Sequence, residues 1–177
     1  MGKRGDRKLQ ILQTLAQMLE APAAEKITTA ALAARLDVSE AALYRHFASK
    51  AQMFEGLIEF IEETLFGLIN KITSEEKSGV KQLESVTAML LGFAQKNRGM
   101  TRVLIGDALV HENERLQLRI NQLHDRVEAT LKQALRFAGG QNELPAAIAD
   151  PAAQANLIMS FVAGRWHQFA KSGFKRD

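Results

Sequence analysis

Between Leu36 and Glu40 the chain has only three residues, Asp37, Val38 and Ser39, in which to end one helix and begin another. Upstream, "ITTAALAARL" (27–36) carries Leu32, Ala33 and Leu36 as a narrow apolar stripe, with Thr28 or Thr29 suited to cap its start. Asp37 tolerates the left-handed backbone of a tight turn, and Ser39 is positioned to cap a third helix running to about Phe47. Before them, Leu9, Ile11, Leu12, Leu15, Met18 and Leu19 recur at three- and four-residue spacing, which predicts a first helix ending near Pro22. Helix, three-residue turn, helix is the spacing of a helix-turn-helix unit, and the first helix gives that unit something to pack on.

The rest of the chain keeps the helical period. Ser49 caps a connector over about 50–72, in which Met53, Phe54, Leu57, Ile58, Phe60, Ile61, Leu65, Leu68 and Ile72 are apolar. "TSEEKSG" (73–79) breaks it, a second segment fills 80–97, and "NRGM" (97–100) reads as a stop. One or two helices are expected from about Thr101 to Phe137, then a loop at 138–151, then a last helix over 152–172 with Leu157, Ile158, Phe161, Val162, Trp166 and Phe169. The fold class is therefore all-α: a three-helix head at 1–50 and a helical regulatory and dimerisation domain at 51–177. The last two helices carry more large apolar side chains than one small bundle can cover, which predicts a homodimer through a four-helix interface; closing the monomer's own core is the alternative. "KSGFKRD" shows no capping glycine or hydrophobic finish, so we expect the natural chain to continue beyond Asp177.

Charge separates the two parts. Of 23 Lys and Arg, eight lie in residues 1–50 against five acidic residues, and the remaining fifteen are balanced by fifteen of the 20 Asp and Glu; the whole net charge of +3 belongs to the head. Lys3, Arg4, Arg7 and Lys8, opposed only by Asp6, form a basic arm that suits a polyanion, or else a solvated terminus. No segment approaches the roughly 20 apolar residues of a membrane span, and "MGKRGDRKLQ" leads into no apolar signal region. A cytoplasmic protein needing no membrane is expected, and the absence of cysteine agrees. Catalysis has no support: there is no glycine-rich phosphate loop, and His46, His111, His124 and His167 stand far apart. In "HENER" (111–115) a zinc helix would need a second histidine where Arg115 stands. No metal and no cofactor is implied.

The third helix has an unusual outer face. Leu43 and Phe47 lie four apart and turn inward, leaving Ser39, Glu40, Ala41, Ala42, Tyr44, Arg45 and His46 outside. Two alanines give a low profile that lets a helix approach the floor of a DNA major groove about 12 Å wide. Tyr44 and His46 have the length to reach phosphates at the groove edge, Lys50 adds a point charge, and Thr28 and Thr29 offer hydroxyls and backbone N–H groups. Taken singly, Tyr44 reads as a core residue with its hydroxyl at the rim, and His46 as an incidental surface group.

"ITTAALAARLDVSEAALYRHFASKAQMFEGLI" resembles the DNA-binding region of the TetR family, in which a threonine-capped helix and a turn ending Val-Ser precede Leu-Tyr-x-His-Phe-x-x-Lys; Asp37 stands where glycine is common. The resemblance implies double-stranded palindromic DNA as partner, with Thr28, Thr29, Ser39, Tyr44, His46 and Lys50 as contacts and Lys3, Arg4 and Arg7 as additional phosphate ligands. "LIEFIEETL", "LLGFAQKNRGMTRVLIGDAL" and "ERLQLRINQLHDRVEATLKQALR" further resemble the nucleoid-occlusion branch of that family, implying a nucleoid-associated dimer that binds the acidic, partly apolar C-terminal tail of the division protein FtsZ and antagonises Z-ring assembly over the chromosome. The implied groove lies between the connector and the next helix, near Phe60, Gly92, Phe93, Lys96, Asn97 and Arg98. Gly92 in mid-helix suggests close approach by another backbone, either the peptide or the neighbouring helix. The alternative is a ligand-responsive repressor of the same family, its pocket lined by Met89, Phe93, Met159, Phe161 and Trp166, where a packed core in place of a cavity of a few hundred Å³ tells the two apart.

Overall fold

The computed structural model describes residues 3–21, 26–145 and 150–176, with the backbone alone for residues 3–5. Eight α-helices and no strand occur among the described residues: α1 (Lys3–Met18), α2 (Thr29–Arg35), α3 (Glu40–Tyr44), α4 (Lys50–Glu75), α5 (Gly79–Lys96), α6 (Arg98–Leu104), α7 (Glu114–Gly140) and α8 (Pro151–Lys171), with a 3₁₀ turn at Asp107–Leu109 between α6 and α7. Local chemistry fixes many ends. Thr28, Ser39, Ser49 and Ser78 accept from backbone N–H groups in the first turns of α2, α3, α4 and α5. Asp37 has φ 53°, and with the Val38 N–H donating to Ala33 O at 3.0 Å it closes α2 in a Schellman motif without glycine.

Three expectations need correction. α8 ends in the same motif on Gly173 (φ 66°): the Phe174 N–H donates to Phe169 O, and the two rings meet edge-on at 5.3 Å. The C-terminal segment therefore has both the capping glycine and the hydrophobic finish that its charge obscures. "NRGM" stops α5 only to begin α6 at Arg98. α7 runs on to Gly140, three residues into the expected loop, and closes on Asn142 at φ 57°.

The apolar stripes converge on one buried cluster that runs from Ile11, Leu15, Leu32 and Leu43 in the head, through Phe54, Leu57 and Ile61 of α4, to Leu90, Leu123, Val162 and Trp166 of the body. No gap in packing marks residue 50, because the first turns of α4 complete the head's core: Gly56 lies against Leu12 and Phe47. α4 is 26 residues, about 39 Å, and returns through residues 76–78 into α5, an antiparallel hairpin pinned by Gln82 Nε2 donating to Thr73 O and Glu76 O. Along its other flank it runs parallel to α7. Lys50 pairs with Glu112 just ahead of α7, Glu55 with Arg115 and Glu62 with Arg119, and the Arg126 guanidinium lies 3.8 Å from the Phe66 ring centroid. Within the body, the buried Trp166 of α8 donates its Nε1–H to Leu90 O of α5 at 3.0 Å.

The glycines that set helix contacts are not those singled out in the sequence. A Cβ on Gly99 would collide with the Ala16 carbonyl oxygen of α1, and one on Gly79 with the Ala138 backbone of α7. A Cβ on Gly92 would meet nothing within 4 Å, so neither α4 nor any other helix approaches it closely.

Candidate nucleic-acid interface

The helix-turn-helix face is assembled by a short polar chain between the starts of α2 and α3. Thr29 Oγ1 donates to Glu40 Oε2 at 2.7 Å, and Tyr44 Oη lies 3.4 Å from Thr29 Oγ1. Thr28 and Ser39, both exposed, accept from Ala31 N–H at 3.1 Å and Ala42 N–H at 3.2 Å. A capping hydroxyl used as acceptor keeps its own hydrogen to donate outward, as a phosphate oxygen requires. Beneath this face Leu43 is 1% exposed and Phe47 8%; on it, Tyr44 is 45% exposed and Ala41 and Arg45 are open to solvent. Thr28, Thr29, Ser39 and Tyr44 are thus brought to one surface.

His46 and Lys50 sit at its edge. His46 is half-buried, and its Nδ1 is enclosed without a hydrogen-bond partner. Lys50 Nζ is engaged by Glu112 Oε1 at 2.5 Å, a residue 62 positions away that no local sequence signal couples to it. The Arg7 guanidinium donates to Gln10 at 2.6 Å, and the Lys8 ammonium stands 5.3 Å from the Phe47 ring centroid. The side chains of Lys3 and Arg4 lie outside the described residues.

On the α4–α5 hairpin, Phe60 lies about four turns from the connection, level with the stretch from Gly92 to Lys96 on α5. Phe60 and Gly92 are half-exposed and Lys96 is exposed. Asn97 is half-exposed and also caps its own helix end, its Nδ2 donating to Phe93 O at 2.8 Å, while Phe93 is a core residue at 7% exposure. Arg98 projects over the Phe174 ring, 5.8 Å from its centroid. The five residues proposed for an effector pocket do not converge: Phe93, Met159 and Trp166 are buried in the core, Met89 packs against it, and Phe161 is 54% exposed on α8.

Residues 11–57 match the family described as bacterial regulatory proteins, tetR family, and residues 77–177 match a tetracyclin repressor-like C-terminal domain of the SlmA-like kind. The nucleoid occlusion factor SlmA of Marinomonas sp. is 51% identical over 98% of this chain and 87% of its own length; that of Alteromonas mediterranea is 52% identical over 98% and 89%. The chain belongs to the SlmA group of the TetR family. Solved structures of distant sequence carry the same fold: the fatty acid degradation regulator FadR of Bacillus halodurans (TM-score 0.78, 17% identity, 100% of this chain and 89% of that one) and a transcriptional regulator of the TetR family from Agrobacterium tumefaciens (0.78, 16%, 97% and 93%). The family matched by residues 11–57 is one of bacterial regulatory proteins. Among the described residues, no group of three or more His, Asp or Glu side chains is placed to hold a metal ion, and no helix is long and apolar enough to cross a membrane.

Proposed function

We propose that this chain is a homodimeric, sequence-specific DNA-binding nucleoid-occlusion factor that binds the C-terminal tail of FtsZ and antagonises Z-ring assembly over the chromosome. What carries the reading is half-identity over nearly the whole length to SlmA proteins, joined to a helix-turn-helix face on which no residue serves the core. The head, residues 1–50, lays α3 in the major groove of a palindromic site. Ala41 and Ala42 allow close approach, while Thr28, Thr29, Ser39, Tyr44, His46 and Lys50 hold phosphates, with Lys3, Arg4 and Arg7 adding contacts from the arm. The body, residues 51–177, dimerises through α7 and α8 and presents Phe60, Gly92, Lys96 and Asn97 to an acidic, partly apolar peptide. The open space above Gly92 supports this, because the glycine leaves room on the surface that no helix occupies. The protein works in the cytoplasm on the nucleoid.

The test is fluorescence anisotropy of a labelled FtsZ C-terminal peptide titrated with the protein, with and without a saturating palindromic duplex. Peptide binding that persists or strengthens with DNA supports the reading. Absence of peptide binding beside intact DNA binding returns the chain to the ligand-responsive repressors of its family. Lys96→Glu should weaken peptide binding while leaving DNA affinity unchanged, and Thr28→Ala or Tyr44→Ala should do the reverse.

A further inference from the structure

Past Met18, α1 gives way to turns in which the Leu15, Gln17 and Met18 carbonyls are met by local N–H groups, but the Leu19 and Ala21 carbonyls beyond the helix take donors from elsewhere. They find them on α6. Arg102 Nη1 donates to Leu19 O at 3.0 Å and Ala21 O at 3.1 Å, while Arg102 Nε donates to Asp107 Oδ2 at 3.0 Å. The other oxygen of Asp107 pairs with Lys171 in the last turn of α8. One carboxylate thus ties together the end of the head's first helix, the turn after α6 and the end of α8.

Packing leaves open space on two sides of this bracket. On one side lies a cavity of about 200 Å³ bordered by Leu19, Ile27, Phe54, Arg102, Asp107 and Glu112. On the other lies one of about 220 Å³ bordered by Glu20, Ala21, Arg102, Asp107, Lys171 and Phe174. Gly99 touches the Ala16 carbonyl three residues before Arg102. Apolar packing and a glycine contact carry little direction, and the Arg102 hydrogen bonds add a directional one that fixes the angle.

We propose that Arg102 is a positioning residue for DNA binding: held by Asp107 and Lys171, it sets the angle of the head on the body and hence the separation of the two recognition helices in the dimer. The inference rests on the DNA-binding dimer of the preceding subsection. Paired recognition helices must sit about 34 Å apart to meet successive major grooves. One base-pair step is only about 3.4 Å, so a small rotation of the head about Gly99 shifts the register that the dimer accepts.

The test selects, from a random-sequence duplex library, the palindrome bound by the wild-type protein, and measures affinity for it, for versions with the half-sites one base pair closer or farther apart, and for an isolated half-site. Arg102→Met should lower discrimination among the three spacings by about fivefold, the size of coupling effects that act without ligand contact. Half-site affinity and a cooperative thermal melt should be kept. Lys171→Met leaves the Leu19 and Ala21 carbonyls with their donor and removes a half-exposed side chain, so it should give the same change at smaller size in a protein that folds; Arg102→Lys should restore part of the discrimination. Unchanged spacing discrimination in the folded variants overturns the proposal. So does a loss of half-site affinity equal to the loss on the palindrome, which would mean a damaged head instead of a turned one. If the wild type selects no palindrome, the DNA-binding dimer itself fails before any variant is made.

Discussion

Glu112 is the residue that most alters the expected DNA face, because it holds the Lys50 ammonium before any phosphate can. The pair is largely shielded, with 22% of the lysine side chain and 12% of the glutamate exposed, so its attraction exceeds that of an open surface pair. If Lys50 serves a phosphate, Glu112→Gln should tighten DNA binding by about fivefold at 0.1 M salt, a change of about 1 kcal/mol. It should also leave the fold intact in a thermal melt. Lys50→Met should reduce the slope of log affinity against log salt by about one unit. An unaltered affinity in Glu112→Gln would remove Lys50 from the DNA contacts. The difference between what the sequence discloses at this scale and what it conceals follows from distance along the chain. Thr28, Ser39 and Ser49 are legible as caps and Asp37 as a left-handed turn residue because each acts on neighbours within five positions. Lys50 with Glu112 and Arg102 with Leu19 are 62 and 83 positions apart, and nothing local announces them.

At the scale of elements, glycine shows how periodicity locates a helix without revealing what it touches. Gly92 and Gly99 both lie within helices, yet one faces open space and the other seats α6 on the backbone of α1. Gly92→Ala should therefore stabilise the protein by about 0.5–1 kcal/mol, the ordinary helix preference for alanine. Gly99→Ala should destabilise it by about 1–3 kcal/mol, since the methyl must displace main chain. Urea titrations of the two variants measure both signs, and a destabilised Gly92→Ala would show that its neighbourhood is closer than described. The same limit explains the reading of "NRGM". An asparagine with a glycine two positions on is a plausible helix stop, and only the packing of Gly99 on Ala16 reveals that a second helix begins there. The long helices α4, α5, α7 and α8 were legible because their apolar stripes repeat over many turns, which one terminal residue cannot disguise.

For the whole molecule, acid should act through two groups that the fold holds in their high-pH forms. Burial lowers the His124 pKa against an opposing hydrogen bond to the Leu104 backbone, and the Nε2 of its ring, packed on Trp166, is buried without a partner. The folded value lies below the usual one of about 6.5, so stability is full above that pH and declines as pH falls towards the lowered value. Burial raises the Asp107 pKa, but hydrogen bonds from Lys171 and Arg102 outweigh it and hold the carboxyl below its ordinary range. Its contribution persists above about pH 4 and is lost at lower pH. His124→Gln should flatten the decline of thermal stability between pH 7 and 5, while Asp107→Asn should affect the loss below pH 4. The assembly tests the architecture as a whole. Leu157 and Phe161 stand one turn apart on α8 at 64% and 54% exposure, with Leu118 and Phe137 exposed on α7, and α7 and α8 pack side by side. Apolar groups of this size left open on two adjacent helices are what a two-fold four-helix interface would cover. Phe161→Glu places a charge at the centre of that patch without touching a buried residue. Sedimentation equilibrium at micromolar concentration should show the wild type as a dimer and the variant as a folded monomer. Binding to a palindrome should then fall to the level of one half-site, because a single head gains nothing from the second half of the sequence. A variant that remains dimeric would move the interface off α8, and with it the lever by which Lys171 and Asp107 join that helix to the head.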